Sequence, residues 1–166
     1  MDSKYLRFDK DSPENQALLS WWREMDKNRG ERAVLRRSAT LTQVAFSPAY
    51  HRLRMAVSRY GSVDCEGLAL IAGLAARVKA DSEGSSIAEQ MASGKADLSA
   101  RVSGLRFRRI LKVKRQEDLF TSMTRIIALL GGTVNLQSLA QGVYFWNEGT
   151  RKKWAFDYYS KAPGEA

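Results

Sequence analysis

Residues 66–80, EGLALIAGLAARVKA, are almost continuously apolar, and a helix of that composition has no face to turn toward water. It must lie at the centre of the fold with other elements around it. A bilayer span, which needs about 20 apolar residues, is out of its reach. The rest of the chain therefore has to supply a shell, and the punctuation of the sequence shows what that shell is made of.

Helix-start signals recur along the chain. Ser12-Pro13-Glu14 reads as a cap, a first-position proline and a first-turn acid, followed by Ala17, Leu18, Trp21, Trp22 and Met25 at helical spacing; this predicts a helix to about Arg29, ended by Gly30. Ser47-Pro48 repeats the signal before AYHRLRMAVSRY. Ser62 or Asp64 opens the central helix, Ser86 a short helix to about Ser93, Ser99 a basic helix, and Gln116 the segment EDLFTSMTRIIALL, which Gly131-Gly132 stops. Asn135 caps LQSLAQGVYFWN and Thr150 caps RKKWAFDYYS. No alternating strand pattern with hairpin turns occurs, so the predicted fold class is all-α: a compact helical protein of two helical subregions. The expected organisation is an N-terminal extension over residues 1–12, an N-terminal helical subregion over 13–80, a connection with a short helix over 81–98, a C-terminal helical subregion over 99–161 and a frayed tail over 162–166.

Chemistry of the enzymatic kind finds little footing. His51 is the sole histidine and Cys65 the sole cysteine, which leaves no zinc-ligand spacing, and no phosphate loop or nucleophile elbow is present. Cys65 reads as a small packing residue, and Glu117 and Asp118 as first-turn acids favoured by the helix dipole. The expectation is a protein that is not an enzyme and needs no cofactor or metal. Nothing resembling a signal peptide or a membrane span is seen, which predicts a cytoplasmic protein.

Charge is the informative deviation. The net charge is +9 over 166 residues, with 14 basic against 11 acidic side chains in residues 1–83 and 13 against 7 in residues 84–166. Residues 100–115 hold Arg101, Arg106, Arg108, Arg109, Lys112, Lys114 and Arg115 and no acid. On one continuous helix Phe107, Ile110 and Leu111 fall on one side, Arg108, Lys112 and Arg115 on the other, and Arg109 beside them. A solvated face ordinarily interleaves Glu with its cations; its absence here points to a polyanion. Arg29, Arg32, Arg36 and Arg37, then Arg52, Arg54 and Arg59, form a second basic group, which joins the 101–115 stretch and Arg125 as a set of basic helices, and a separate run is Arg151, Lys152 and Lys153. The last three, at the start of a helix, would oppose its dipole, which suggests a ligand role. Such a surface tracks phosphate without reading sequence. A basic helical DNA-binding regulator and a helical protein-interaction adaptor are the alternatives, although the acids after the basic run suit a recognition helix poorly.

Five segments in order, ALLSWWREM, RAVLRRS, SPAYHRL, GLRFRRILKVKRQEDLFTSMTRIIALL and VYFWNEGTRKKWAFDYY, resemble the CasB family, the small subunits of the type I-E CRISPR surveillance complex Cascade, over roughly residues 15–160. The resemblance implies a non-catalytic prokaryotic subunit, present as two copies head to tail. Its implied partners are guide RNA, target DNA, and the backbone and large subunits of the complex, with the displaced strand of the R-loop held along a basic surface. It implies nucleic-acid contacts by Arg36 or Arg37, Arg52, Lys112, Arg115, Arg125 and Arg151 to Lys153; Arg108 and Arg109 rest on the helical projection and Arg101 on the basic stretch alone.

Overall fold

The structure is a computed structural model that describes residues 5–94 and 99–165. The central segment is α5 (Cys65–Ala75), in which every residue from Gly67 to Ala75 is buried. Around it pack α2 (Arg29–Arg37), α3 (Leu41–Ala45), α4 (Pro48–Ser58), α8 (Gln116–Leu129) and α9 (Leu136–Tyr144). Gly73 is what lets α8 come so close: a methyl group there would stand 2.6 Å from the Phe120 ring. α1 (Pro13–Glu24) lies against α4, and α10 (Glu148–Lys161) against α6 (Ile87–Ala92), with α7 (Gly104–Leu111) completing the described helices. Among the described residues the fold is all-α apart from a two-residue parallel pair, β1 (Ala80–Asp81) with β2 (Thr133–Val134), and isolated bridges at Tyr5–Ser62 and Gly94–Ala100. Gly131 and Gly132, at φ 71° and 80°, turn the chain from α8 into β2.

A single hydrophobic cluster runs through both halves, from Leu6 to Tyr158. Its ends correct the picture of loose termini. Leu6 and Phe8 are fully buried, the Phe8 N–H donates to Gln141 Oε1 at 2.8 Å, and Gln137 Nε2 donates to the Phe8 carbonyl at 2.6 Å. The N-terminal segment is thus a strap bound to α9, although residues 1–4 of the expected extension lie outside the described residues. The tail is not frayed either: residues Pro163–Glu165 form a 3-10 turn in which Glu165 Oε2 accepts from the Gly104 N–H, at the start of α7. Ala166, and residues 95–98 of the expected connection, are outside the described residues.

Several helix boundaries differ from expectation, each for a packing reason. α1 ends at Glu24, a 3-10 turn follows over Met25–Lys27, and α2 begins at Arg29 with Gly30 inside its first turn. That turn brings Arg32 to the end of the central helix, where Nε and Nη2 donate to the Ala76 and Val78 carbonyls at 3.2 and 2.5 Å. α7 is capped by Ser103, not Ser99, because the chain before it is bonded to the end of α6: the Arg101 N–H donates to the Ser93 carbonyl, the Val102 N–H to the Met91 carbonyl, and Val102 is fully buried. α10 is capped by Asn147, whose Oδ1 accepts from the Thr150 N–H at 2.9 Å, so Thr150 lies inside the helix. Cys65 is exposed at the first position of α5 rather than packed.

Candidate nucleic-acid interface

α7 is held by its inner side. Phe107 is fully buried and stacks on Tyr158 with centroids 4.0 Å apart and planes 6° apart, and Ile110 is buried beside it. Helical geometry then turns Arg106 and Arg109 outward, toward α8. α8 in turn buries Leu119, Phe120, Met123, Ile126 and Ile127, which leaves Arg125 on its outer side. The three arginines line a groove of about 600 Å³ between the two helices, with Ile110, Ser122, Ile126, Ala128 and Leu129 as its other walls. Among the described residues no acidic side chain lines it.

A second groove, of about 360 Å³, flanks α8 on its other side and is lined by Arg36, Arg77 and Lys79 with Thr124, Ile127, Ala128, Gly131 and Gly132. Ala128 is common to both, so six cations from α2, α7, α8 and the segment after α5 gather along one helix. Burial, reinforced by the charge of Arg36, lowers the pKa of Arg77 from its ordinary value. Two cations so close without an acid between them favour a bound anion.

The continuous basic ridge read from the sequence does not exist. α7 ends at Leu111, Lys112 is its exposed C-cap, and Arg115 is in extended conformation (φ −88°, ψ 140°) as the N-cap of α8. Arg115 and Lys114 instead line a separate depression with Asp64, Glu66 and Glu117. Arg108 donates from Nη1 to the Glu165 carbonyl at 2.9 Å. Arg37 is exposed in the last turn of α2. Arg52 makes a bidentate pair with Glu31, and Lys153 reaches Asp157 at 2.9 Å. Arg151, Lys152 and Lys153 fall in the second turn of α10, which removes the dipole cost expected of them; the Arg151 guanidinium lies 3.5 Å from the Leu111 carbonyl at the end of α7.

Of the residues singled out in the sequence, then, the structure gathers Arg36, Arg109 and Arg125 along α8, and leaves Arg37, Arg52, Arg101, Arg108, Lys112, Arg115 and Arg151 to Lys153 elsewhere. It adds Arg106, Arg77 and Lys79. Arg106 had a signal, since it lies three residues before Arg109 and so on the same side of a helix. Arg77 and Lys79 had none beyond being the only charges at the end of the central helix.

A cleft of about 950 Å³ has the opposite character: Asp9, Asp11, Asp81, Glu83 and Asp157 line it, against Lys10, Arg23 and Lys153. Among the described residues no group of three or more His, Cys, Asp and Glu is arranged to hold a metal ion, and no helix is long and apolar enough to cross a membrane.

The sequence profile of the family CRISPR-associated protein Cse2 matches residues 31–159. Comparison with curated proteins gives no significant match. Among solved structures, a chain of E. coli Cascade bound to a PAM-containing double-stranded DNA target superposes with a TM-score of 0.70 at 18% identity, over 90% of this chain and 96% of that one. CasB from Thermus thermophilus superposes with a TM-score of 0.64 at 22% identity, over 90% of this chain and 99% of that one.

Proposed function

The chain belongs to the Cse2 family of CRISPR-associated proteins, and from that premise we propose that it is a non-catalytic small subunit of a prokaryotic, cytoplasmic type I-E Cascade complex that stabilises the R-loop by holding the displaced strand along α8. Guide RNA, target DNA, the backbone and large subunits, and a second copy of the chain are its partners in this reading. The observation that carries it is the double groove: Arg106, Arg109 and Arg125 on one side of α8 and Arg36, Arg77 and Lys79 on the other, with no acidic lining residue among the described residues. Lys112, Arg115, Arg151 and Lys152 sit apart from that surface and are left for guide RNA or neighbouring subunits.

The energetics suit the role. Exchanging a DNA duplex for an RNA–DNA heteroduplex is nearly balanced, so a modest set of phosphate contacts on the released strand shifts the equilibrium. Contacts that ignore sequence are an advantage there, because base pairing with the guide already supplies specificity.

The test is single-strand binding by the full chain across a salt series. Binding should fall with salt at a log-log slope of about −0.7 per neutralised phosphate, and Arg106→Ala, Arg109→Ala and Arg125→Ala together should flatten that slope by about 2. In reconstituted Cascade the same triple variant should assemble and form a shorter-lived R-loop. A slope near zero for the parent chain, or an R-loop lifetime unchanged in the assembled variant, removes the α8 surface from this function.

A further inference from the structure

The two grooves beside α8 are not alike. A surface that only neutralises phosphate needs cations on a hydrated ridge, yet between Arg106, Arg109 and Arg125 the protein exposes an apolar floor in which Leu129 keeps 37% of its surface accessible over buried Ile110 and Ile126. The groove on the other side is smaller, about 360 Å³, and one of its three cations, Arg77, is turned to the Gly73 and Ser38 carbonyls. An occupant that satisfies the first groove has to be anionic and also carry a flat apolar face. A duplex is anionic, but it keeps the faces of its bases stacked inside and shows only their edges. A single strand shows both.

We propose that the α7/α8 groove receives an unstacked base of single-stranded nucleic acid, the base resting on Leu129, Ile110 and Ile126 while Arg106, Arg109 and Arg125 hold the flanking phosphates. This rests on the nucleic-acid reading above and deepens it. The guanidinium plane stacks on a base face as readily as it pairs with phosphate, which is why arginine suits this wall better than lysine. Ser122 is the one uncharged polar side chain in the lining among the described residues, so the pocket takes any base and adds no sequence preference. It does discriminate single strand from duplex. Strand release is thereby favoured by a contact that the reannealed duplex cannot make.

The experiment compares the full chain's affinity for an oligothymidine, a strand of the same length and charge carrying abasic sites throughout, and a duplex of the same length, whose two backbones carry about twice the charge. The intact single strand should bind about two- to fivefold more tightly than the abasic one, the gain of one exposed cation-π contact. Leu129→Ala and, separately, Leu129→Gln should bring the intact strand down to the abasic level while leaving the salt slope unchanged. Two substitutions are used so that one with an unaltered melting temperature is available. Equal affinity for intact and abasic strands overturns the base pocket yet leaves the phosphate reading standing, and is the outcome expected if an acidic, apolar segment of a neighbouring protein fills the groove. Failure of all three probes to bind overturns both.

Discussion

Arginine serves two ends in this chain, and composition does not separate them. Arg77 donates from Nη1 to the Gly73 carbonyl at 2.7 Å and from Nη2 to the Ser38 carbonyl at 2.8 Å, with its guanidinium carbon 5.0 Å from the centre of the Phe120 ring. Arg125, one groove away, is exposed. Arg77→Ala should therefore lower stability by about 1–3 kcal/mol, because it strands carbonyls that are shielded from water, while Arg125→Ala should stay within about 0.5 kcal/mol and weaken single-strand binding instead. Paired melting and binding curves check this; equal melting temperatures would mean that Arg77 caps nothing. The distinction was illegible in the sequence because Ser38 lies 39 residues from Arg77. A second residue-scale expectation concerns alkali. Burial pushes the Tyr158 hydroxyl, which donates to the Val102 carbonyl at 2.6 Å, and the Tyr50 hydroxyl, which donates to Cys65, up to about 12. A phenol whose pKa is raised on folding contributes stability that is complete below its unfolded value near 10 and is lost as pH rises toward 12. Stability measured by denaturant titration should fall across that window, and Tyr158→Phe should make the fall shallower.

Among the elements, α7 and α8 show best how far patterning reaches. The inward set was legible: Phe107 and Ile110 are buried as a 3.6-residue period requires. The outward set was not, because a projection assumes one unbroken helix and the chain leaves helical conformation between Lys112 and Arg115. Either Ser99 or Ser103 is a competent cap by type, and burial of Val102 with the backbone bonds to the end of α6 decides between them. The same override set the start of α10, where Asn147 outranks Thr150 as a cap. Two consequences separate the ridge from the groove. Arg109→Ala should weaken single-strand binding well beyond Arg115→Ala, whereas a continuous ridge would make the two alike. Ile110→Ala should cost roughly 2–5 kcal/mol by opening a cavity under α7, and the loss of binding that accompanies it should track unfolding, as circular dichroism at the assay temperature would reveal.

On the scale of the whole molecule, the apolar segment at 66–80 announced the architecture, since a helix with no polar face leaves only the centre of a helical shell, and that is where α5 lies. What the pattern could not convey is how the ends close the shell. Leu6 and Phe8 are separated by one residue in a stretch rich in charge, too short for any period to register, yet both are fully buried and the backbone of Phe8 is held from both sides by Gln137 and Gln141. Treating residues 1–12 as an extension implies that removing them is harmless; treating them as a strap does not. Full burial of two such side chains is worth about 1.5–3 kcal/mol each, against a total that for domains of this kind is about 5–15 kcal/mol. Deletion of residues 1–12 should thus remove a large part of the stability and expose the Phe8 site on α9, giving a marked drop in melting temperature in a calorimetric scan. A chain beginning at residue 5, which restores Leu6 and Phe8 with the rest of the strap, should recover most of it. A deletion that melts with the parent chain would show that the strap lies on the core without holding it.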